Sequence, residues 1–119
     1  MENRIILCNF ADSIIIVIKM SVLLEFAMFP TDKGASVSPY VARIEHIIRS
    51  HPYPSQLTAM GTLIETDTID EATTLINECY RALSTDCDRV YCTATIDIRK
   101  DRKDCLHRKV EAVEEKLNQ

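Results

Sequence analysis

The sequence predicts an α+β fold in which two helices cover one face of a four-stranded antiparallel sheet. Segments of strand and helix character follow one another in the order β-α-β-β-α-β, and one more helix ends the chain. Apolar residues alternate in the strand-like segments and recur every three or four positions in the helix-like ones. The chain has 119 residues, is 46% hydrophobic and contains two glycines and four prolines, which is typical of one globular domain.

The first half of this pattern begins with a strand over residues 21–29, which are rich in apolar and β-forming types. A turn-forming loop over residues 30–35 follows. Ser38 suits the N-cap of the first helix, and Pro39 suits its first turn, where the missing N–H costs no hydrogen bond. The apolar stripe of this helix consists of Val37, Val41, Ile44 and Ile48.

The second half begins with two short strands over residues 56–59 and 62–66, joined by a Met-Gly turn. Thr68 and Glu71 have the spacing of a capping box, which predicts the start of a second helix. A strand over residues 89–99 and a final helix follow. The expected inward-facing residues are Ala72, Leu75, Ile76, Cys79 and Leu83, then Val90, Cys92, Ala94, Ile96 and Ile98, then Leu106, Val110, Val113 and Leu117. The whole order is that of a ferredoxin-like fold.

Charge and cysteine content narrow the class of partner and the compartment. The net charge of −4 argues against nucleic acid or an anionic membrane as the main partner. The five cysteines are odd in number and form no C-x-x-C pair, so reduced thiols in a cytoplasmic protein are expected. The apolar run at residues 14–18 is too short to span a bilayer. We expect residues 1–19 to be an N-terminal extension, or a misassigned start, before a domain over residues 20–119.

The face of the sheet opposite the two helices is the expected functional surface, because side chains on a strand alternate between faces. The open-face residues of interest are Glu25, Phe29, Thr58, Met60, Tyr91 and Asp97. An apolar surface of this kind is rarely left in water, so a second subunit, or a small ligand held between subunits, is expected to cover it. Glu25 then needs a partner, which is Arg99, a lysine of another subunit or the amine of a ligand.

The motifs of common enzymes do not occur in the sequence. It has no Walker A, G-x-G-x-x-G, H-E-x-x-H or G-x-S-x-G pattern, and its three histidines fall in different predicted elements. The last strand also lacks the glycine and paired aromatics of an RNA-binding sheet of the same fold order. We therefore expect neither catalysis, nor a metal site, nor RNA binding.

Several separate blocks of the sequence resemble one family. These blocks are VLLEFAMFP at 22–30, DKGASVSPYVAR at 32–43, QLTAMGT at 56–62, CDRV at 87–90 and IDIRK at 96–100. They are similar to the small thiamine-binding proteins, which are related to the YkoF-type binders of thiamine and hydroxymethylpyrimidine. The resemblance implies a ferredoxin-like homotetramer, built as a dimer of dimers, with a non-catalytic role in thiamine supply or sensing. Ser55, Ala59 and Thr66 depart from the family pattern beside the expected pocket.

The resemblance leads to a hypothesis about ligand contacts in which thiamine, or a related pyrimidine, is the ligand and no other cofactor is needed. Thiamine has a cationic thiazolium and an aminopyrimidine, so its site calls for a carboxylate, polarisable walls and hydroxyl groups. The expected contacts are Glu25 or Asp97 with the amine or cation, Phe29, Met60 and Tyr91 as walls, Thr58 and Ser38 for orientation, and Lys33 with any phosphate. The alternative is a structural or regulatory module whose sheet face only assembles subunits.

Overall fold

The computed structural model describes residues 4–10 and 13–119, with side chains described from Met20 onward. Two N-terminal strands, β1 (Arg4–Phe10) and β2 (Ser13–Lys19), pair antiparallel in a two-stranded sheet of their own. The apolar run at residues 14–18 lies within β2. The predicted domain boundary at residue 20 stays a prediction.

A four-stranded antiparallel sheet and three helices make up the rest of the chain. In chain order the elements are β3 (Ser21–Pro30), α1 (Ser38–Ser50), β4 (Ser55–Leu57), β5 (Thr62–Thr66), α2 (Ile69–Ser84), β6 (Val90–Arg99) and α3 (Cys105–Leu117). The strand order across the sheet is β4-β5-β3-β6, with every neighbouring pair antiparallel. This topology confirms the predicted ferredoxin-like α+β fold.

The core lies between one face of the sheet and helices α1 and α2. Alternate residues of β3 point into it, and Val22, Leu24, Phe26 and Met28 are all buried, whereas Glu25 is exposed. The helices contribute the buried residues Ile44, Ile48, Ala72, Leu75, Cys79 and Leu83. The predicted parity of β3 is therefore confirmed.

The two helix starts show how far local sequence fixes a boundary. The capping box of α2 is confirmed, because the Thr68 hydroxyl accepts from the Glu71 N–H at 3.1 Å and the Glu71 carboxylate accepts from the Thr68 N–H at 3.0 Å. The prediction of Ser38 as N-cap of α1 is wrong by one residue. Val37 holds that position, and its carbonyl accepts from the N–H groups of Tyr40 and Val41, each at 3.0 Å.

Helix α3 departs most from expectation, since its predicted inward face is exposed. Val110, Val113 and Leu117 are 60%, 59% and 71% exposed. The helix is held by its first turn, where the buried Glu65 carboxylate accepts from the backbone N–H of Cys105 at 2.9 Å and from the Ser21 hydroxyl. Because Glu65 pairs with Leu23 in the sheet register, this anchor lies on the open face. The helix start therefore covers one end of that face and does not pack under α1 and α2.

Strand β6 is an edge strand, and this explains a second correction. Its predicted core face is only partly covered, because it lies at the end of the sheet order, beyond the central strands β3 and β5. Val90 and Ile96 pack against the core, but Cys92, Ala94 and Ile98 are exposed. The register confirms the predicted alternation of this strand, since Cys92 and Ile98 lie opposite the buried Met28 and Val22. Only the expected burial of Cys92, Ala94 and Ile98 is wrong, because these residues lie at the edge of the sheet.

Candidate functional site

A cavity of about 510 Å³ opens where β3, the loop before α1, α1 itself and the β4–β5 turn meet. Its position follows from unequal strand pairing. Strand β5 pairs with β3 from Val22 to Phe26, whereas β6 continues to pair with β3 as far as Pro30. The β4–β5 turn, which precedes β5, does not pair with β3 beyond Phe26, and this leaves a gap beside the sheet. Helix α1 lines the other side of this gap through Val41 and Ile44.

The β4–β5 turn is fixed by its own hydrogen bonds. The Thr58 hydroxyl donates to the Gly61 carbonyl at 2.7 Å and accepts from the N–H groups of Met60 and Gly61, each at 3.2 Å. The Met60 side chain is left 87% exposed at the rim of the cavity. A Cβ atom on Gly61 would stand 2.9 Å from the Phe26 carbonyl oxygen, so the close approach of turn and strand needs glycine here.

One buried acid in the cavity lining was not among the predicted site residues. Glu45 of α1 is 8% exposed, and its Oε2 accepts from the Thr62 hydroxyl at 2.7 Å. Among the described residues that line the cavity, it has the one ionisable side chain. The sequence carried a signal for it: Glu45 lies one helical turn from Val41 and beside Ile44, inside the apolar stripe.

Seven of the eight predicted site residues fall into three groups, and the eighth, Lys33, lines neither of the two hollows described below. Phe29, Thr58 and Met60 line the cavity. Ser38 lines a second hollow of about 460 Å³, which shares Val37, Val41, Glu45 and Leu57 with the first. The third group, Glu25, Tyr91 and Asp97, lies on the open face and does not line either hollow. The structure therefore brings together three of the predicted contacts and separates them from both predicted carboxylates.

The open face joins the cavity through aromatic contact. The rings of Phe29 and Tyr91 lie 5.7 Å apart, so the cavity wall continues onto the open face. Glu25 is exposed there, and no hydrogen bond or ion pair joins it to a side chain that the structure describes. The alternative pairing of Glu25 with Arg99 is wrong, because the Arg99 guanidinium binds Asp101 through two contacts of 2.9 Å. Asp97 is paired with Lys109 of α3.

Lys33 stands in a loop that is held by acidic groups. The Asp32 carboxylate accepts from the Asp88 N–H at 2.8 Å, and this hydrogen bond lowers the pKa of Asp32. The positive charge of Lys33 also lowers the pKa values of Asp32 and Asp86, although less than their hydrogen bonds do. The positive charge of Lys33 is therefore partly compensated by two nearby carboxylates. Its predicted contact with a phosphate stays a prediction.

Nucleophile and metal chemistry find little support in the described part of the chain. Burial raises the pKa of the Cys79 thiol to about 12, and partial desolvation by neighbouring groups also raises the pKa of the Cys92 thiol. Among the side chains that the structure describes, from Met20 onward, no three or more histidine, cysteine or acidic groups cluster in a way that would hold a metal ion. No helix within residues 4–10 and 13–119 is long and apolar enough to cross a membrane.

Comparison with known proteins identifies the family. The family model described as thiamine-binding protein matches residues 24–114. The chain belongs to the thiamine-binding protein family. All the residues that line the cavity lie inside the matched segment. The family resemblance seen in the separate sequence blocks is thereby confirmed.

Relatives of this family member come from archaea and bacteria. The UPF0045 protein MJ1052 of Methanocaldococcus jannaschii is 35% identical over 94 residues, which cover 79% of this chain and 93% of that protein. A UPF0045 protein of Methanothermobacter thermautotrophicus is 36% identical over 85 residues, covering 71% of this chain and 86% of that protein.

Solved structures agree with the fold. The crystal structure of MJ1052 aligns with a TM-score of 0.72 at 34% identity, over 80% of this chain and 97% of that one. A Thermotoga maritima protein, provisionally assigned to thiamine biosynthesis or salvage, aligns with a TM-score of 0.66 over 78% of this chain and 98% of that one. Its identity is 17%, so this second likeness supports the fold alone.

Proposed function

We propose that this protein binds thiamine, or a related hydroxymethylpyrimidine, without transforming it, in a cytoplasmic role of thiamine supply or sensing. The observation that carries the proposal is the cavity of about 510 Å³, which lies in the range of about 300–1,000 Å³ typical of small-ligand sites. Its lining is mainly apolar, with one buried carboxylate, and this suits a flat heterocycle that has N–H donors or a positive charge. Membership of the thiamine-binding family supports the same ligand.

Within the cavity, Phe29 and Met60 supply the apolar and polarisable walls of the proposed site. The Thr58 hydroxyl already serves the turn, so its part is to hold Met60 and Gly61 in place. We assign no catalytic step, because acid–base chemistry calls for positioned groups that give and take a proton, and the described lining offers one carboxylate.

A subunit interface on the open face would complete this site. The exposed residues Glu25 and Tyr91, together with Asp97, lie on the face that Phe29 links to the cavity. A second subunit on this face would enclose the outer part of a ligand and bring these side chains to it. The homotetramer, built as a dimer of dimers, belongs to the proposal and is supported by the partly exposed apolar residues of this face, which are Leu23, Phe29, Leu63 and Tyr91.

Calorimetric titration with thiamine and with 4-amino-5-hydroxymethyl-2-methylpyrimidine tests the binding function. Ala35 lines the cavity from an exposed position, so Ala35→Phe should fill it without disturbing the core. We expect wild type to bind at least one of the two compounds and Ala35→Phe to bind neither. Ala112→Phe makes the same change at an exposed position of α3 and should keep wild-type affinity. No heat of binding with wild type, or equal affinity in Ala35→Phe, would contradict the proposal.

The second candidate is an oligomerisation module without a small ligand. It is favoured by the exposed apolar side of α3, formed by Val110, Val113 and Leu117. Light scattering with and without thiamine separates the two candidates. A tetramer that forms in both conditions, together with no heat of thiamine binding, would favour the assembly role.

A further inference from the structure

The Glu45 carboxylate has an unused acceptor. Oε2 accepts from the Thr62 hydroxyl at 2.7 Å, whereas Oε1 is buried and accepts no hydrogen bond among the described residues. The nearest cation to Oε1 is Arg49, whose Nη2 lies 3.7 Å away, beyond hydrogen-bond distance. The Arg49 side chain is 65% exposed, so only a loosely placed guanidinium faces this oxygen.

A carboxylate held in this way is costly for the fold alone. An ionised carboxylate has about four acceptor sites on its two oxygens. A buried oxygen that accepts no hydrogen bond loses its hydration, and for Oε1 only the charge of Arg49 at 3.7 Å compensates that loss. Apolar side chains surround the position on α1, where Ile44 and Ile48 are buried. A residue of the same character at position 45 would avoid this penalty, so the acid calls for an explanation outside core packing.

The charge of the cavity points to the kind of ligand that supplies the missing donor. Glu45 is the one ionisable residue among the described lining residues, so the lining itself contributes a negative charge, and Arg49, which pairs loosely with Glu45, belongs only to the neighbouring hollow. A ligand with N–H donors or a positive charge compensates that charge, whereas a phosphate is repelled by it. Lys33 does not reverse the sign, because its charge is shared with Asp32 and Asp86.

We propose that Glu45 is the specificity-determining residue of the cavity and binds the N–H edge of an unphosphorylated aminopyrimidine ligand through Oε1. The inference rests on the proposed function and deepens it. Arg49 lines the second hollow, which shares Glu45 with the cavity. Because Oε1 is closed to water, a ligand in the cavity reaches it by displacing the exposed Arg49 guanidinium on the side of that hollow, which exchanges one positive partner for another. The carboxylate therefore keeps a positive or N–H-donating group nearby before and after binding.

Calorimetry on wild type, Glu45→Gln and Arg49→Gln tests this assignment, with thiamine, the aminopyrimidine and the phosphate monoester of each as probes. We expect Glu45→Gln to weaken binding of thiamine and the aminopyrimidine about 10- to 100-fold, as for loss of a charge-assisted hydrogen bond. Arg49→Gln should bind them more tightly than wild type does. The phosphate esters should bind wild type more weakly than their parent compounds, and Glu45→Gln should narrow that difference.

Matched controls separate recognition from stability. Glu111→Gln makes the same change at an exposed position of α3 and should leave affinity unchanged. The melting temperature of ligand-free Glu45→Gln should equal or exceed that of wild type, because the change removes a buried charge and keeps an acceptor for Thr62. A lower melting temperature with unchanged affinity would make Glu45 a structural residue and overturn the inference. Tighter binding of the phosphate esters to wild type would overturn it as well.

Failure of the proposed function gives a different pattern. If wild type binds neither thiamine nor the aminopyrimidine, the proposed thiamine-binding function is wrong. Benzamidine, a flat cation with N–H donors, then tests the role of Glu45 independently of thiamine. Thermal stabilisation of wild type, but not of Glu45→Gln, by benzamidine would support Glu45 as the recognition group for another ligand of this class. Equal shifts in both proteins, or no shift in either, would overturn the assignment.

Discussion

Replacing Gly61 by alanine tests whether the β4–β5 turn must lie against β3 to form the cavity. The new Cβ would stand 2.9 Å from the Phe26 carbonyl oxygen, 3.4 Å from its carbonyl carbon and 3.6 Å from the Ala27 Cβ. The first contact is with backbone in the middle of the sheet, so the turn has to move and the strand cannot. Overpacking of this kind costs about 1–3 kcal/mol. At about 4–8 °C per kcal/mol for a domain of this size, the melting temperature should fall by at least about 4 °C.

Urea unfolding followed by circular dichroism measures this loss, and calorimetry with thiamine measures its effect on the cavity. We expect a lower urea midpoint with an unchanged slope, and weaker binding because Met60 and Thr58 move with the turn. For stability, Gly34→Ala is the comparison, since nothing lies within 4 Å of a Cβ there and the cost comes only from a backbone φ of +88°. Stability of Gly61→Ala within about 0.3 kcal/mol of wild type would refute the close approach of turn and strand.

Three further predictions concern the framework around the cavity. The hydrogen bond from Arg43 lowers the pKa of Asp86 to about 2 from 3.8, so its stabilising effect is present above pH 4 and lost as the pH falls towards 2. Urea unfolding should therefore show wild type more stable than Asp86→Asn at pH 5, with a much smaller difference near pH 2, and an equal difference at both pH values would contradict this. Glu65→Gln should speed amide exchange in α3 about tenfold and leave β3 protected, because it removes the charged acceptor at the helix start; equal exchange would show that other contacts hold α3. Thr68→Ala should lower the free energy of unfolding by about 1 kcal/mol in urea, and no change would mean that the α2 capping box contributes nothing.

The parts of the fold set by local chemistry could be predicted from the sequence. Strand parity placed the core residues of β3 correctly, because direction alternates with each residue. The apolar stripe of α3 had the same spacing as a buried helix but is exposed. Its position depends on the contact of Glu65 with Cys105, which are 40 residues apart in the chain, and periodicity holds no information about such a contact. The edge position of β6 likewise depends on the order of the strands in the sheet, which the periodicity of a single strand does not indicate.

In the candidate site, too, the features set by local sequence could be predicted and those set by long-range packing could not. Phe29, Thr58 and Met60 were predicted together and line one cavity, since the strand end and the Met-Gly turn are local features. The acid was harder to identify, because Glu25 interrupts an apolar strand as clearly as Glu45 interrupts an apolar helix stripe. Which of the two acids is buried depends on what covers each face. Only the packed structure shows that Glu45 of α1 is buried against Thr62 of β5.

The two acids differ in how much each can contribute to binding in one subunit. A carboxylate in water gains little from a new partner, because it gives up hydration of similar strength, so exposed Glu25 alone should add at most about 1 kcal/mol. Glu45 has already lost much of its hydration and gains more from a donor. Affinity that falls strongly in Glu25→Gln would therefore mean that another chain has removed Glu25 from water. Comparing thiamine binding of Glu25→Gln with that of Glu45→Gln thus reports whether the site lies within one subunit or extends across the interface, even where the number of subunits has not been measured.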